Sequence, residues 1–428
     1  MNEPSSEANG SRKRQPEPLG EPRPETQGAG RHVGVVRCAY FPQDPRVFKE
    51  VSALVQVGFR VTVYCLRMPG DPARGVSPEP LRETIGSEAY ADLAGVRVVR
   101  MDRSQTRGSL AARMGMYLGF LLWAAVQLFR TQFRGRLDIV QINTLPDFLV
   151  FCALPVKVLG TRVVLDLHEL LPELFGSEFR GPLRPALIGG LTFVEKACIA
   201  FADRVICPGP SYLEVYEGRG APVEKFTQIY NVPDESIFQR RGVEKVPNLI
   251  IAHGSVIERY GFDLIAEAMA KIVRELPSAR LEIIGDGEHM PVVRSLVEQH
   301  HLAAHVEFVG RVPLEQMSER LERASVGIVA TRVNPFTDRI LPNKAYELAA
   351  LGVPIVASET RGLVAQFGRD GIAYFESGDA DDIARVTLAV LRDPAKRAAL
   401  AETAYSIYEG IRWNRNRVDY QRIFLGLD

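Results

Sequence analysis

Two charged side chains stand near the start of a short apolar segment in the stretch RILPNKAYELAALGVPIVAS, from Arg339 to Ser358. Pro342 favours a helix start, because its missing N–H would have no partner there, and Gly352 favours the helix end. The free N–H groups of such a start favour an anion such as a phosphate. Lys344 adds a full positive charge, and Glu347, one turn further, can accept hydrogen bonds from a pair of sugar hydroxyls. The pattern indicates a phosphate- and sugar-binding site, with two solvated surface residues as the alternative.

Two more polar turns follow apolar runs in the same half of the chain. In LIIAHGSVIERYGFDL a run ends at His253, and Gly254 lets the backbone approach a ligand closely. Arg259 follows just before the next helix and supplies a cation. The turn IIGDGEHM, with Gly285, also leaves a predicted strand. The turn at Gly254 is interpreted as a second anion-binding site. A lone G-x-G is more often a tight turn, but three polar turns at the same sheet edge are more than one turn repeated by chance.

The first half of the chain also places polar residues after apolar runs. VVLDLHELLPE puts Asp166, His168 and Glu169 at a strand end, and the carboxylates beside the histidine favour a functional role for it. The turn YFPQDPRVFKEV puts Asp44 and Arg46 before an amphipathic helix. That pair can bind an acceptor, or it can simply cap the helix.

The elements that must position these residues alternate along the chain. From His32 onward, short Val/Ile-rich runs alternate with amphipathic helices, the pattern of parallel strands buried on both faces. The alternation breaks in a charged, proline-containing linker near 234–247 and then restarts, which predicts two α/β domains in tandem. We place a disordered tail at 1–30, an N-terminal domain at 31–238, a C-terminal domain at 239–402, and a last helix at 403–428 that can pack back on the N-terminal domain.

Composition excludes some functional classes. Lys+Arg and Asp+Glu both number 52, whereas a dedicated nucleic-acid-binding protein normally has a basic excess. The five cysteines lie in apolar surroundings without a C-x-x-C pair, as expected for buried, reduced thiols of a cytoplasmic protein. The first thirty residues lack the apolar core of a signal peptide.

The apolar segment MGMYLGFLLWAAVQLF, from Met114 to Phe129, allows three interpretations. It is shorter than the roughly 20 residues that span a bilayer, so a buried core helix is one. Arginines on both sides suit anionic lipid, so a helix lying on the cytoplasmic membrane face is another. A transmembrane span is the third. The flanking arginines are Arg113, Arg130, Arg134 and Arg136.

The chain from residue 32 onward resembles family 4 retaining glycosyltransferases of the GT-B type. The resemblance rests on the order and spacing of several stretches: DPRVFKEVSALVQVGFRVTVYCL, LDIVQINTLPDFLVF, VVLDLHELLPE, ADRVICPGPSY, IYNVPD, LEIIGDGE, VEFVGRV and LPNKAYELAALGVPIVAS. The stretch LPDFLVFCALPVKVLGTRVVLDLHELLPELF also resembles the branch that builds cell-surface polysaccharides. The resemblance implies two doubly wound Rossmann-like domains facing across a cleft. The C-terminal domain would bind a nucleotide sugar and the N-terminal domain an acceptor, without a metal ion.

The resemblance also implies roles for the residues singled out above. The catalytic set would be His168, Arg259, Lys344 and Glu347. The donor-binding set would be Gly254, Ser255, Gly285, Arg311, Pro342, Asn343 and Glu347. The acceptor-binding set would be Asp44, Arg46, Asp166 and Glu169. The D-x-D spacing of Asp379 and Asp381 is interpreted as a helix cap and not as a metal site.

The chain departs from the family pattern at two places. The family commonly has two glutamates separated by seven residues; Glu347 matches the second, but Arg339 stands where the first would be, and Asp338 is one position away. Ser255 stands at the usual position of an arginine, which leaves Arg259, with Lys344 supplying the other charge. These departures affect the prediction of the donor sugar more than the prediction of the reaction.

The expected activity is a retaining transfer of a sugar from a nucleoside diphosphate sugar, with uridine as the favoured base, to a hydroxyl of a lipid-linked or polysaccharide precursor. No cofactor is expected. The expected location is cytoplasmic, with peripheral attachment to the inner membrane face left open. A catalytically inactive GT-B scaffold that binds a nucleotide sugar or a partner is one alternative, and a GT-B sugar-nucleotide epimerase is another.

Overall fold

The computed structural model describes residues 28–68, 96–103 and 109–427. The tail predicted at 1–30 therefore lies almost wholly outside the described residues. The described chain forms two α/β domains, each with a parallel sheet between layers of helices, as the alternating pattern predicts.

The N-terminal domain is built on a sheet whose described strands run in the order β3-β2-β1-β4-β5-β6-β7, all parallel. The order reverses between β1 and β4, and doubly wound sheets bind ligands at such a switch point. The strands are β1 His32–Tyr40, β2 Arg60–Leu66, β3 Val96–Met101, β4 Ile139–Asn143, β5 Arg162–Asp166, β6 Arg204–Cys207 and β7 Phe226–Gln228. The helices are α1 Pro45–Gln56, α2 Leu110–Gly135, α3 Leu154–Lys157, α4 Leu171–Glu178, α5 Arg184–Phe201 and α6 Pro210–Gly218, with a 3₁₀ helix at Asp147–Ala153.

The C-terminal domain repeats this plan with the strand order β10-β9-β8-β11-β12-β13 and a reversal between β8 and β11. The strands are β8 Leu249–His253, β9 Arg280–Ile284, β10 Val306–Gly310, β11 Val326–Val329, β12 Ile355–Ser358 and β13 Ala373–Phe375. The helices are α7 Phe262–Glu275, α8 Met290–Gln299, α9 Leu314–Glu322, α10 Asn343–Ala350, α11 Arg361–Phe367, α12 Ala380–Arg392 and α13 Pro394–Ile411, with a 3₁₀ helix at Glu258–Tyr260. As predicted, Asp379 caps α12, accepting hydrogen bonds from the backbone N–H groups of Asp381 and Asp382.

The chain passes between the domains twice. Ile229 belongs to the N-terminal core, whereas Val232 already packs in the C-terminal core, so the first crossing lies before the predicted linker. Helix α13 also packs in the C-terminal core. The second crossing is at Arg412, where extended backbone separates α13 from the last helix, α14 Trp413–Leu425. Helix α14 returns to the N-terminal domain, where Tyr420 and Phe424 pack with α1.

Helix α2 has two apolar faces. One face packs against β1 and the 3₁₀ helix, and it consists of Met116, Phe120, Ala124 and Leu128. The opposite face is exposed, and it consists of Leu110, Met114, Leu118, Leu122, Val126, Phe129 and Phe133. Within the described part of the chain, this helix alone is long and apolar enough to cross a membrane, judged by length and composition. Because its inner face helps to form the domain core, α2 is a wall of the domain, and its outer apolar face has no partner among the described residues.

The five cysteines are free and buried, as the sequence predicts. They lie in strands and helices of the N-terminal domain, among apolar side chains.

Candidate functional site

A cavity of about 380 Å³ lies between the domains, at the carboxyl ends of strands from both sheets. Its wall includes the turn after β5, the turn after β8 and the start of α10, which the sequence predicts to be binding turns. We call this cavity the cleft. The predicted site residues in its wall are Arg46, His168, Glu169, Gly254, Ser255, Pro342, Asn343, Lys344 and Glu347.

Helix α10 begins at Asn343, and Pro342 occupies the position before it. No side chain caps this helix start within the described structure. The first N–H groups of a helix have no carbonyl partner inside the helix, so this end can bind an anion. The Asn343 side chain accepts a hydrogen bond from Asn231 of the interdomain segment (3.2 Å), which fixes the helix start against the cleft wall.

The ammonium group of Lys344 lies on aromatic rings and not on a carboxylate. Its Nζ is 3.9 Å from the ring centre of Tyr260 and 4.9 Å from that of Phe262. Within the described residues Lys344 forms no ion pair. Burial lowers the pKa of Lys344 to about 7, although Glu347 acts to raise it. Cation–π contacts stabilise the charged form, and an anionic ligand could supply the charged partner that Lys344 lacks among the described residues.

Gly254 makes room for this lysine. It has a φ of +104°, and a Cβ atom there would lie 2.6 Å from Lys344 Cε. Gly285 supports the same turn from behind, because a Cβ on it would lie 1.9 Å from the carbonyl oxygen of Gly254. Gly285 therefore acts by packing against the β8 turn and is absent from the cleft wall. These two glycines show why the polar turns after β8 and β9 tolerate no side chain.

Glu347 is held by a residue that sequence reasoning did not select. The Nε2 atom of His253 lies 2.6 Å from Glu347 Oε2, and the histidine side chain is almost fully buried. His253 is the last residue of β8, one position before Gly254. A histidine that ends a buried strand directly before a glycine turn is the signal that could have identified it.

Arg259 points across the cleft mouth. Its guanidinium lies 3.6 Å from Glu178 of the N-terminal domain. The 3₁₀ helix that carries Arg259 ends at Gly261, whose φ of +59° and close approach to the Ala330 carbonyl exclude a side chain. Arg259 is absent from the wall of the cleft, and its guanidinium faces Glu178.

The N-terminal side of the cleft contains a buried charge network. Arg46 pairs with Asp166 and with Glu50 (3.1 Å), and His168 Nε2 lies 3.0 Å from Asp166 Oδ2. Burial lowers the pKa of His168 to about 4. The positive charges of Arg46 and Arg37 also lower it, whereas the negative charge of Asp166 raises it. Burial alone would raise the pKa of Asp166, but Arg46 and His168 hold it at about 2. His168 is therefore neutral near pH 7, and its Nε2–H donates to a charged Asp166.

Two of the predicted acceptor contacts have other partners in the structure. Asp166 is fully buried, so it orients His168 and does not reach an acceptor itself. Asp44 caps α1 by accepting from Val47 N (3.3 Å) and pairs with Arg37 (2.8 Å), which is the capping alternative of the sequence analysis. Arg46 lines the cleft, but its guanidinium is engaged by carboxylates.

Glu169 faces the cleft, and burial raises its pKa to about 7. The hydroxyl of Tyr212 lies 3.5 Å from its carboxylate. Arg311, predicted to bind the donor, is absent from the cleft wall. Its side chain is 80% exposed and lies 3.8 Å from Asp286.

Arg339, which stands where the family pattern has its first glutamate, links the two domains. Arg339 Nη1 donates to Glu214 of α6 (2.7 Å), and the Arg339 carbonyl accepts from Ser211 Oγ (2.7 Å). Asp338 does not replace the glutamate in the cleft, because its carboxylate accepts from the first N–H of α11, that of Arg361 (3.0 Å).

Two doubly wound domains facing across such a cleft define the GT-B class of proteins. Residues 46–236 match the family described as "Glycosyltransferase Family 4", and residues 233–407 match the family described as "Glycosyl transferases group 1". The chain therefore belongs to the family 4-like glycosyltransferases of the GT-B type.

Two curated relatives show the range of this similarity. A GDP-mannose-dependent monoacylated alpha-(1-6)-phosphatidylinositol monomannoside mannosyltransferase from Corynebacterium glutamicum is 25% identical over 42% of this chain and 48% of its own length. An N-acetyl-alpha-D-glucosaminyl L-malate synthase from Bacillus anthracis is 24% identical over 68% of this chain and 75% of its own length. The chain thus matches about half the length of the first relative.

Two solved structures share the fold over nearly the whole chain. Sucrose-phosphate synthase from Thermosynechococcus elongatus superposes with a TM-score of 0.71 at 18% identity, covering 93% of this chain and 99% of its own. HepE from Anabaena, in complex with UDP-glucose, superposes with a TM-score of 0.67 at 13% identity, covering 92% of this chain and 100% of its own.

Proposed function

We propose that this protein transfers a sugar, with retention of anomeric configuration, from a nucleoside diphosphate sugar to a hydroxyl of a lipid-linked or polysaccharide precursor. One observation carries the proposal. At the uncapped start of α10, Lys344 has no carboxylate partner among the described residues, and one turn away Glu347 is fixed by His253. A cation beside a fixed carboxylate matches a diphosphate joined to a ribose.

On the donor side, Glu347 would accept hydrogen bonds from the ribose hydroxyls. The diphosphate would lie against Lys344, the backbone of Gly254 and the first N–H groups of α10. Negative charge grows on the diphosphate as the glycosidic bond breaks, and groups already in place stabilise it without reorganisation. We propose that these groups and Arg259, and no metal ion, balance that charge.

On the acceptor side, neutral His168 would contact the transferred sugar or the acceptor. In this proposal no carboxylate of the cleft, Glu169 included, acts as a covalent nucleophile. We therefore propose that the acceptor hydroxyl attacks from the face that the diphosphate leaves, and that a diphosphate oxygen takes its proton. Atoms balance in this step: the sugar's bond to the diphosphate breaks, its bond to the acceptor oxygen forms, and the proton ends on the nucleoside diphosphate.

Uridine is the proposed base. The superposed HepE structure contains UDP-glucose, whereas the Corynebacterium relative is named for GDP-mannose, so the choice of base needs a direct test. Thermal unfolding with UDP, GDP, ADP and their sugar conjugates provides it. A ligand at 100 times its dissociation constant stabilises a protein by about 2.7 kcal/mol. A shift with one base that is absent in Glu347→Ala supports the proposal, and no shift with any nucleotide overturns it.

Product analysis separates transfer from the two alternatives. With the donor that gives the shift, a transferase releases nucleoside diphosphate only when an acceptor is present, and NMR of the product shows whether the anomeric configuration is retained. Conversion of the donor sugar without an acceptor would instead identify an epimerase. Nucleotide binding without any conversion, across a panel of lipid-linked and soluble acceptors, would identify an inactive scaffold.

We further propose that the outer face of α2 lies on the cytoplasmic membrane surface. This face is apolar over most of its length, with Leu122 66% exposed and Phe133 71% exposed. The helix contains no acidic residue, and its arginines Arg113, Arg130 and Arg134 suit anionic lipid headgroups. Flotation with phosphatidylglycerol-containing liposomes at low salt tests this, and failure of the wild-type protein to float overturns it.

A further inference from the structure

A second cavity, of about 740 Å³, lies in the N-terminal domain beside the cleft and is open to the surface. It is bounded by the start of α2, the 3₁₀ helix, α4 and α5, and its lining is overwhelmingly apolar. Leu174, Phe175, Leu187 and Leu191 are typical of its wall. The volume falls in the range of small-molecule binding sites. We call it the hydrocarbon cavity.

The hydrocarbon cavity shares two loops with the cleft. Thr144 Oγ1 accepts from the backbone N–H of His168 (2.9 Å), and the next two residues, Leu145 and Pro146, line the hydrocarbon cavity. After β5 the chain contributes His168 and Glu169 to the cleft and then Leu171 to the hydrocarbon cavity. A molecule lying in the hydrocarbon cavity would therefore have its end close to His168.

The hydrocarbon cavity also meets the outer face of α2. Leu110 and Met114 belong to both its wall and that exposed face. On the other side, Phe179 and Leu183 line it and are 40% and 78% exposed. The apolar surface is thus continuous from the proposed membrane side to the neighbourhood of the cleft.

Charges at the rim of the hydrocarbon cavity are mainly positive. Arg113 and Arg180 line it, and neither forms an ion pair with another described residue. Arg184 donates to the Gly176 carbonyl (2.8 Å), and the one acidic residue in this wall, Glu178, lies against Arg259. An apolar interior with free arginines at its rim is complementary to a long hydrocarbon chain that ends in a phosphate.

We propose that the hydrocarbon cavity binds the chain of a membrane lipid whose phosphate headgroup carries the acceptor sugar. Arg113 and Arg180 would hold the phosphate, and the sugar hydroxyl would reach the cleft beside His168. The inference rests on the proposed function for the acceptor role alone. The occupancy of the hydrocarbon cavity by a phosphorylated hydrocarbon can be measured without any transfer reaction.

The direct test measures binding of octyl, decyl and dodecyl phosphate by calorimetry, below the concentrations at which they form micelles. Affinity should rise on the order of tenfold for each two methylenes added, because each buried methylene contributes about 0.8 kcal/mol. Leu187→Glu should abolish saturable binding by placing a charge among the apolar residues. Leu314→Glu, at an exposed leucine of the C-terminal domain, should bind as the wild type does.

Two comparisons extend the test. Leu122→Glu, on the outer face of α2, should lose liposome flotation while it still binds dodecyl phosphate, because Leu122 is not part of the hydrocarbon cavity. Farnesyl phosphate and lysophosphatidic acid, competing with dodecyl phosphate, distinguish a prenyl from an acyl lipid as the source of the chain. Competition by either lipid phosphate supports the inference, and the stronger competitor identifies the lipid class.

Affinity that does not change with chain length, or Leu187→Glu binding dodecyl phosphate as the wild type does, overturns the inference. The proposed function fails in a different way, by absence of a nucleotide-dependent shift. If Leu187→Glu keeps the wild-type unfolding temperature and UDP shift, its loss of alkyl phosphate binding reports the hydrocarbon cavity and not a misfolded protein.

Discussion

His253 Nε2 and Glu347 Oε2 are 2.6 Å apart, which ties the last residue of β8 to the second turn of α10. The histidine is buried, and its other ring nitrogen has no partner within the described structure. The Nε2 contact therefore fixes one oxygen of the Glu347 carboxylate. Among the described residues no hydrogen bond to the second oxygen is found, so a ligand can bind there.

Replacing Glu347 by glutamine should weaken nucleotide binding. Glutamine keeps the size of the side chain but removes the charge, and hydrogen bonds to charged groups contribute roughly 1.5–3 kcal/mol. We expect the dissociation constant for the nucleoside diphosphate to rise by about 10- to 150-fold in calorimetric titration. The matched control is Glu298→Gln, at an exposed glutamate of α8. Equal affinity of Glu347→Gln and wild type would contradict a role for this carboxylate in binding.

Nucleotide binding should take up a proton above neutral pH. Free Lys344, with a pKa of about 7, is partly neutral there, and a bound diphosphate would raise that pKa by supplying opposite charge. Affinity should therefore fall as pH rises from 7 to 9. Calorimetry in buffers of different ionisation enthalpy measures the proton uptake, which Lys344→Met should remove and Lys396→Met, at an exposed lysine, should leave unchanged.

Glu169 could produce a similar signal, because its pKa is also raised to about 7. The variant Glu169→Gln separates the two groups. Proton uptake that survives Glu169→Gln and disappears in Lys344→Met assigns it to the lysine. The opposite result would assign it to the carboxyl group and remove the argument for Lys344.

Gly254→Ala should damage binding more than stability. Its Cβ would lie 2.6 Å from Lys344 Cε, at a φ of +104°. Gly378→Ala is a matched control, because its φ is +89° but a Cβ there would meet no atom within 4 Å. Both variants should lose roughly 1–2 kcal/mol of unfolding free energy through backbone strain, measured by urea denaturation. Only Gly254→Ala should lose nucleotide affinity, and similar affinity in both variants would show that Lys344 can move aside without effect.

Arg46→Met should destabilise the N-terminal domain severely. It would leave Asp166 and Glu50 buried without their cation, and such a loss typically costs about 3–5 kcal/mol. Urea unfolding at pH 7 measures the change, with Arg274→Met, at an exposed arginine of α7, as the control. A destabilisation equal to that of the control would mean that water or a shifted side chain replaces Arg46.

Sequence patterns were sufficient for the fold and for the position of the cleft. Alternating apolar runs specify parallel strands, and parallel strands gather their following turns at one edge, so Gly254 and Lys344 could be expected near each other. That His168, on the other sheet, faces them followed only from the resemblance to GT-B proteins. Whether a side chain turns into the cleft depends on packing that no local pattern contains. The sequence predicts Asp166 as an acceptor contact, whereas in the structure it is the buried support of His168. His253 gives only a weak signal in the sequence, because a histidine in an apolar run resembles an ordinary core residue.

The outer face of α2 shows the same limit. The segment from Met114 to Phe129 contributes apolar residues to both faces of the helix. Its composition predicts an apolar helix but does not tell the two faces apart. Only the packing of Phe120 and its neighbours on the sheet shows which half of the helix is already covered. The other half, with Leu122, is an exposed surface that no other described part of the chain covers.

The two interdomain crossings lie side by side. Asn414, just after the second crossing, hydrogen-bonds through its backbone N–H and its side chain to Glu235, just after the first (2.8 Å each). The two connections between the domains are thus fastened to each other at one place. Any opening of the cleft that leaves this junction intact has to break the interdomain ion pairs of Arg339 with Glu214 and of Arg259 with Glu178.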